Sequence, residues 1–303
     1  MYSIYDYAYN GFLYLNNIMR PHHKRLSQLM IYSTTACQSR CKHCNIWQKP
    51  VEHLPFEDIK RIMQSGKSLF IEKPPCQTLH ELDELIDLQR LSGSPVAMVS
   101  LQKRYSPAVQ ILSKRLKKAH LVSYNLHYLT GSYPEGNALL DLYIHPLDLV
   151  IFLFGKPEII ACQRVTSSSY ILMLQHPNLV GTLELSTAYT WSSAKESIKV
   201  CTSKGIYHLS QMETLTFEPK SPTFHGIPIE KFHRQNRTIE YLYAPNPFTP
   251  TLPNNLVYSQ GYFIEIHTFV NAVEGCKSCV VSTLDMTRNV FLLLEAIKLH
   301  CSQ

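Results

Sequence analysis

Three cysteines at Cys37-x3-Cys41-x2-Cys44 form the densest group of metal-type ligands in the chain. Thiolates at that spacing on one loop can converge on three irons of a cubane cluster and leave the fourth iron open for a small ligand. The same thiolates, completed by His43 or His53, would suit a structural zinc ion. A second set lies downstream. Lys73 precedes Pro74-Pro75, and a lysine at the mouth of a proline-fixed turn would project over a crevice, its ammonium placed to polarise or hydrogen-bond a substrate hydroxyl. Asp141 and His145 are four positions apart and would share one face of a continuous helix, with Asp148 close behind. A carboxylate beside an imidazole favours the imidazolium and fixes its orientation, as a general acid/base pair requires. Cys276 and Cys279 also form an x2 pair, but no second pair accompanies them, so they read as incidental.

The elements that would position these groups can be read from periodicity. Residues 29–35, LMIYSTT, form an apolar and β-branched run expected to be a buried strand ending in the cysteine loop. A helix is expected from Pro55, with Glu57 and Asp58 at its positive end and Gly66 as its stop. Residues 68–72 read as a strand ended by prolines, so 29–72 reads as strand, loop, helix, strand. A helix over 79–91, a strand over 96–101 and a helix over 107–118 follow. From about Pro157 short alternating runs such as 170–174, 179–186 and 197–201 imply a mostly antiparallel sheet, closed by helices over 262–273 and 284–300. The fold class expected is therefore α/β followed by α+β.

Composition sets the bounds. The chain has 303 residues, 45% hydrophobic and 17% charged, enough for a substantial core and against global disorder. The net charge of +6 is dispersed. Its densest cluster, Lys114-Arg115 with Lys117-Lys118, has the spacing of a solvated helix face, so no nucleic-acid partner is expected. The aromatic N-terminus lacks a basic residue ahead of it and contains Asp6, which fails as a secretory signal. No apolar run approaches the roughly 20 residues that span a bilayer. Without a signal, the nine cysteines are expected as reduced thiols or metal ligands and the compartment as cytoplasmic, with no membrane partner.

Two resemblances add to this. The segment TTACQSRCKHCNIW resembles the radical S-adenosylmethionine (SAM) superfamily over residues of about 10–65. What that implies is a [4Fe-4S] cluster on Cys37, Cys41 and Cys44 whose open iron binds SAM. From Gly66 onward GKSLFIEKP, QKRYSP, LLDLYIHPLDLVIFLFG and QGYFIEIHTFVNAVEG resemble the Gfo/Idh/MocA oxidoreductases, several spaced motifs in the right order. This resemblance implies a sugar or polyol substrate and NAD(P) as cofactor. It places Lys73 and His145 at the reacting carbinol, with His145 as proton acceptor and Asp141 in support, and it puts Glu72, Lys73, Pro74, Arg104 and Tyr105 around the cofactor. It also implies a homo-oligomer formed through the C-terminal sheet. The organisation expected is a cysteine-loop fragment over 1–65, a residual Rossmann-like parallel segment over 66–125, and an α+β substrate and dimerisation domain over 126–303.

One departure stands against the second resemblance. A dinucleotide fold needs G-x-G-x-x-G so that backbone can approach the pyrophosphate. The eleven glycines are too widely spaced to make that motif, and there is no G-x4-G-K loop. The function expected is a sugar-type oxidoreductase with weakened nucleotide binding. The alternatives are an iron–sulfur protein, or a non-catalytic fusion retaining only the C-terminal sheet domain.

Overall fold

The computed structural model describes residues 54–301, apart from 94–95, 135, 233–237, 247, 250 and 276–278, together with Leu15, Met19, Pro50 and Glu52. The chain divides into two compact units, Met1–Asp58 and Ile59–Gln303. The described elements belong to the second, except for the first turn of α1 (Phe56–Gln64). The expected strand at 29–35 and the cysteine loop lie outside the described residues.

Two short strands, β1 (Leu69–Ile71) and β2 (Ala97–Val99), pair in parallel with α2 (Leu79–Ser92) between them. The start of α2 is dictated locally by a capping box. The Glu81 N–H donates to Thr78 Oγ1 at 3.2 Å while the Thr78 N–H donates to Glu81 Oε2 at 3.0 Å, so two otherwise orphaned donors are satisfied. A 3-10 turn, Gln102–Tyr105, follows β2 and runs into α3 (Pro107–Leu116), whose proline sits where a missing N–H costs nothing. Lys114, Arg115, Lys117 and Lys118 are exposed at the end of α3.

An eight-stranded mixed sheet follows. Its strands are β3 (Leu121–Leu129), β4 (Glu158–Thr166), β5 (Ser169–His176), β6 (Leu179–Ser186), β7 (Lys195–Thr202), β8 (Gly205–Ser210), β9 (Thr214–Pro219) and β12 (Glu240–Tyr243), in the order β12-β9-β8-β7-β3-β6-β5-β4. The intervening β10 (Thr223–Phe224) and β11 (Ile227–Pro228) form a separate hairpin. Every pairing in the large sheet is antiparallel except β3 with β6. Before β4 come a one-turn helix, α4 (Ala138–Asp141), and the apolar α5 (Ile144–Phe154). The chain closes with α6 (Leu256–Ser259), α7 (Tyr262–Val273) and α8 (Leu284–His300). Alternate residues of the strands, among them Leu126, Leu172, Leu174, Leu183, Leu185, Ile198, Val200 and Leu209, are buried on one face, and α5 is buried from Ile144 to Ile151. Helix α8 packs against α5, α2 and β4.

The stretch 121–129, for which no element was expected, is a nine-residue strand at the centre of the sheet. Two expectations are corrected. Asp141 and His145 do not share one helix: α4 ends at Asp141 and α5 begins at Ile144. Pro146 explains the break, since it has no N–H to bond back to residue 142 and is tolerated only in a first turn. Nor are all the cysteines thiols or metal ligands, because Cys162 on β4 and Cys301 beyond α8 are joined as a disulfide with Cα atoms 6.6 Å apart. Among the described residues, no helix is long and apolar enough to cross a membrane.

Candidate active site

The C-terminal ends of β1 and β2 carry the first site residues. Strand β1 leads into Glu72 and Lys73, and the Lys73–Pro74 peptide is cis. Strand β2 leads into the 3-10 turn, which is pinned from several sides. Arg104 presents its guanidinium fork to Asp148 of α5, with Nε to Oδ2 at 2.8 Å and Nη2 to Oδ1 at 2.5 Å, and also donates to the carbonyl of Val281. Both side chains are buried, and a bidentate charged pair tolerates burial only with such geometry. Against burial, which pulls the other way, the Asp148 charge holds Arg104 above its ordinary pKa. The Tyr105 hydroxyl meets Ser282 Oγ at 2.9 Å and accepts from the Val281 N–H at 3.1 Å. Ser100 donates to Glu265 Oε2 at 3.1 Å and Gln102 to the Tyr262 hydroxyl at 3.2 Å, both across to α7. Gly261, just before α7, lies so close that a Cβ there would sit 2.1 Å from the Gln102 carbonyl oxygen. Its φ of 95° adds a second reason for glycine.

The groups so positioned converge on the helix break. Lys73 Nζ donates to the backbone carbonyl of Asp141 at 2.6 Å. Burial lowers the Lys73 pKa, Asp141 and Glu72 oppose it, and Lys103 reinforces it. Burial raises the Asp141 carboxyl, opposed by the Asn137 backbone, Lys73 and the Tyr133 hydroxyl, which lies 3.4 Å from Oδ2. His145 is buried and its Nδ1 has no hydrogen-bond partner. Its pKa is driven well below the ordinary value by burial first, then by the charges of Lys103 and Lys73. Lys103 donates to both carboxylate oxygens of Glu196 at the start of β7, with side chains only 7% and 12% exposed, and its ammonium lies 4.8 Å from the Tyr128 ring centroid. The arrangement is that of a neutral imidazole flanked by two ammonium groups, suited to receiving a proton from a hydroxyl that a lysine polarises.

The structure thus brings Lys73, Asp141 and His145 to one region, but the partnership differs from the expected one. His145 is held neutral, not as imidazolium, and Asp141 meets Lys73 through its carbonyl. Arg104 and Tyr105 are committed to internal contacts that fix the turn. Glu72 is exposed and Pro74 half-buried beside Lys73. Cys37, Cys41 and Cys44 lie outside the described residues. Among the described residues, no group of three or more His, Cys, Asp or Glu is arranged to hold a metal ion. Lys103, Tyr128 and Glu196 were not anticipated. Lys103 lies in QKRYSP beside Arg104, but only the register of β3 against β7 places Tyr128 opposite Glu196, and no local sequence signal carries that register.

Comparison with known proteins follows the same outline. The profile of the Gfo/Idh/MocA oxidoreductase family's C-terminal alpha/beta domain matches residues 131–302, more than half of the chain. The uncharacterized oxidoreductase YhhX of Escherichia coli (strain K12) is 27% identical over 117 residues, which span 35% of this chain and 34% of YhhX, about a third of that relative's length. Levoglucosan dehydrogenase, solved with NADH and levoglucosan, superposes with a TM-score of 0.66 at 18% identity, covering 81% of this chain and 74% of that one. UDP-N-acetylglucosamine 3-dehydrogenase from Acidithiobacillus ferrooxidans superposes with a TM-score of 0.61 at 18% identity, covering 81% and 75%. At such identities the two structures show a shared fold. With the family profile spanning α4 to α8 and more than half of the chain, the chain belongs to the Gfo/Idh/MocA oxidoreductase family.

Proposed function

We propose that this protein oxidises a sugar or polyol carbinol, with His145 as the proton acceptor and Lys73 as the group that binds and polarises the hydroxyl. The observation that carries this is the buried, neutral His145 with an unpaired Nδ1 in the field of two lysines. An imidazole must be unprotonated to accept a proton, and a cationic neighbourhood also favours the alkoxide character that develops as the proton leaves. Lys73, fixed by the Asp141 carbonyl, has two further N–H donors for a substrate oxygen. The levoglucosan and UDP-N-acetylglucosamine enzymes that share the fold support the carbohydrate class.

The electron acceptor this reading names is NAD(P), in line with the NADH in the levoglucosan dehydrogenase structure. The described residues do not fit tight capture of its phosphates. The turn from β1 to α2 runs through Pro74 and Pro75 without a glycine, and the turn from β2 to α3 has none either, so neither forms the glycine-lined cradle that lets backbone close on a pyrophosphate. A [4Fe-4S] cluster with SAM on Cys37, Cys41 and Cys44 rests on sequence spacing alone. Anaerobic reconstitution followed by visible absorption tests it.

We further propose that the protein pairs with itself through the outer face of the large sheet, where Ile171, Met173, Val180 and Ile206 are exposed. The central experiment is calorimetric titration with NADH and NADPH, then steady-state assay over a panel of sugars and polyols. Binding and turnover are expected, with His145→Asn and Lys73→Met each lowering kcat/KM by about 10²- to 10⁴-fold. No heat or fluorescence change at millimolar cofactor would leave the non-catalytic alternative standing.

A further inference from the structure

The 3-10 turn Trp191–Ser193 between β6 and β7 ends the sheet on the same side as the site. Strands β3 and β6 run in parallel and both finish there, at Leu129 and Ser186, while β7 starts there at Lys195. Trp191 is 56% exposed, yet it is not loosely held. Its indole Nε1 donates to the Ser132 carbonyl at 3.1 Å. Its ring packs so closely on Gly131 that a Cβ there would stand 2.4 Å from the ring carbon Cδ1. The loop is tied back to β3 by the Tyr189 N–H to Thr130 carbonyl bond at 3.0 Å.

The neighbours on both sides lead into the site. Ser132 precedes Tyr133, whose hydroxyl meets Asp141, and the Asp141 carbonyl receives Lys73. At the other end of the turn, Glu196 receives Lys103. Trp191 is thus tied to the segment that carries Tyr133 and lies five residues before Glu196, the partner of Lys103. A large aromatic fixed along one edge by a hydrogen bond, with the remainder open, loses little rotamer freedom on meeting a ligand. Pyranose and cyclitol rings offer a face of C–H groups that fits the negative face of an indole, while their hydroxyls point outward to polar partners.

We propose that Trp191 is a carbohydrate-binding platform, on which the apolar face of a sugar ring stacks while its hydroxyls reach Lys73 and Lys103. This deepens the carbohydrate oxidoreductase reading and rests on it for the substrate class.

The test uses the full chain carrying Trp47→Phe, so that Trp191 is the sole fluorescent indole, titrated without cofactor against levoglucosan, D-glucose, myo-inositol and UDP-N-acetylglucosamine. At least one should give a saturable change in emission. Trp191→Ala should weaken that ligand roughly tenfold by calorimetry, and Trp191→Tyr should restore most of the loss. In turnover assays KM should rise with kcat unchanged. The platform is overturned if no probe binds, if a bound sugar leaves the emission unchanged and Trp191→Ala leaves its affinity intact, or if that variant alters only the oligomeric state. Sugar binding that senses Trp191 without any oxidation would retain the platform and remove the dehydrogenase reading.

Discussion

His145 has an unpaired ring nitrogen, and its protonation is set by burial first and then by the charges of Lys103 and Lys73. In the proposed reaction the neutral imidazole is the active form, and activity is lost as pH falls through its pKa. Because that pKa is depressed by burial and then by Lys103 and Lys73, kcat/KM should stay flat through neutrality and fall only below the ordinary histidine range. Lys103→Met removes one positive charge and leaves the Glu196 carboxylate unpaired, and both changes favour the imidazolium. The acid limb should then move up in pH, visible in the pH–rate profile and in an NMR titration of the His145 ring. An unmoved limb would discount the Lys103 influence. Residue types were informative at this scale: Lys73, Asp141 and His145 were all identifiable as chemistry-bearing. Their partnerships were not. The relation of Asp141 to His145 depended on an unbroken helix, and Pro146 breaks it.

At the scale of elements, the turn after β2 is held by α5 through Arg104 and Asp148 and by α7 through Glu265. Glu265 is 1% exposed, its Oε1 has no partner, and its Oε2 accepts from Ser100. Burial, partly opposed by the Ser100 and Leu101 hydrogen bonds, raises its pKa to about 8. A carboxyl whose folded pKa lies above its unfolded value of 4.5 binds its proton more tightly when folded. Its contribution to stability is therefore complete below pH 4.5 and is lost as pH rises towards 8. At about 1.4 kcal/mol per unit this amounts to about 4–5 kcal/mol across the window. Glu265→Gln should abolish that slope, so urea unfolding at pH 5 and pH 8 should give a smaller difference than in the wild type. An unchanged slope would mean the carboxyl is ionised throughout. The helices around this turn were legible, expected over 79–91 and 107–118 and observed over 79–92 and 107–116, although the capping box that starts the first was not read. Strand β3 was not anticipated, although Ser123, Asn125 and His127 alternate there with Tyr124, Leu126 and Tyr128, and its pairing partners lie far along the chain.

For the whole molecule, the sheet has one face under α5 and the helices and one open face. Register places Ile171, Met173 and Val180 on the open side with Asn125, Thr182 and Lys199, and this is the face on which self-pairing is proposed. Ile171→Lys with Met173→Glu should convert a dimer into monomers in light scattering coupled to gel filtration, with secondary structure intact. A double variant of unchanged mass would assign another surface to pairing. The family was legible from spaced motifs, whereas the disulfide was not, because Cys162 and Cys301 are 139 residues apart and sequence spacing says nothing about contact.

The ion pair of Lys103 with Glu196 joins positions 93 residues apart. During synthesis the lysine emerges long before its counter-ion and waits, solvated, until β7 is made and laid beside β3. The 3-10 turn therefore cannot take its final form while the nascent chain ends anywhere short of the middle of the sheet. A split of the gene between the β1–β2 segment and the sheet would give two halves, each with an unmatched charge where the other should fit. Co-expressed, those halves would have a reason to find one another.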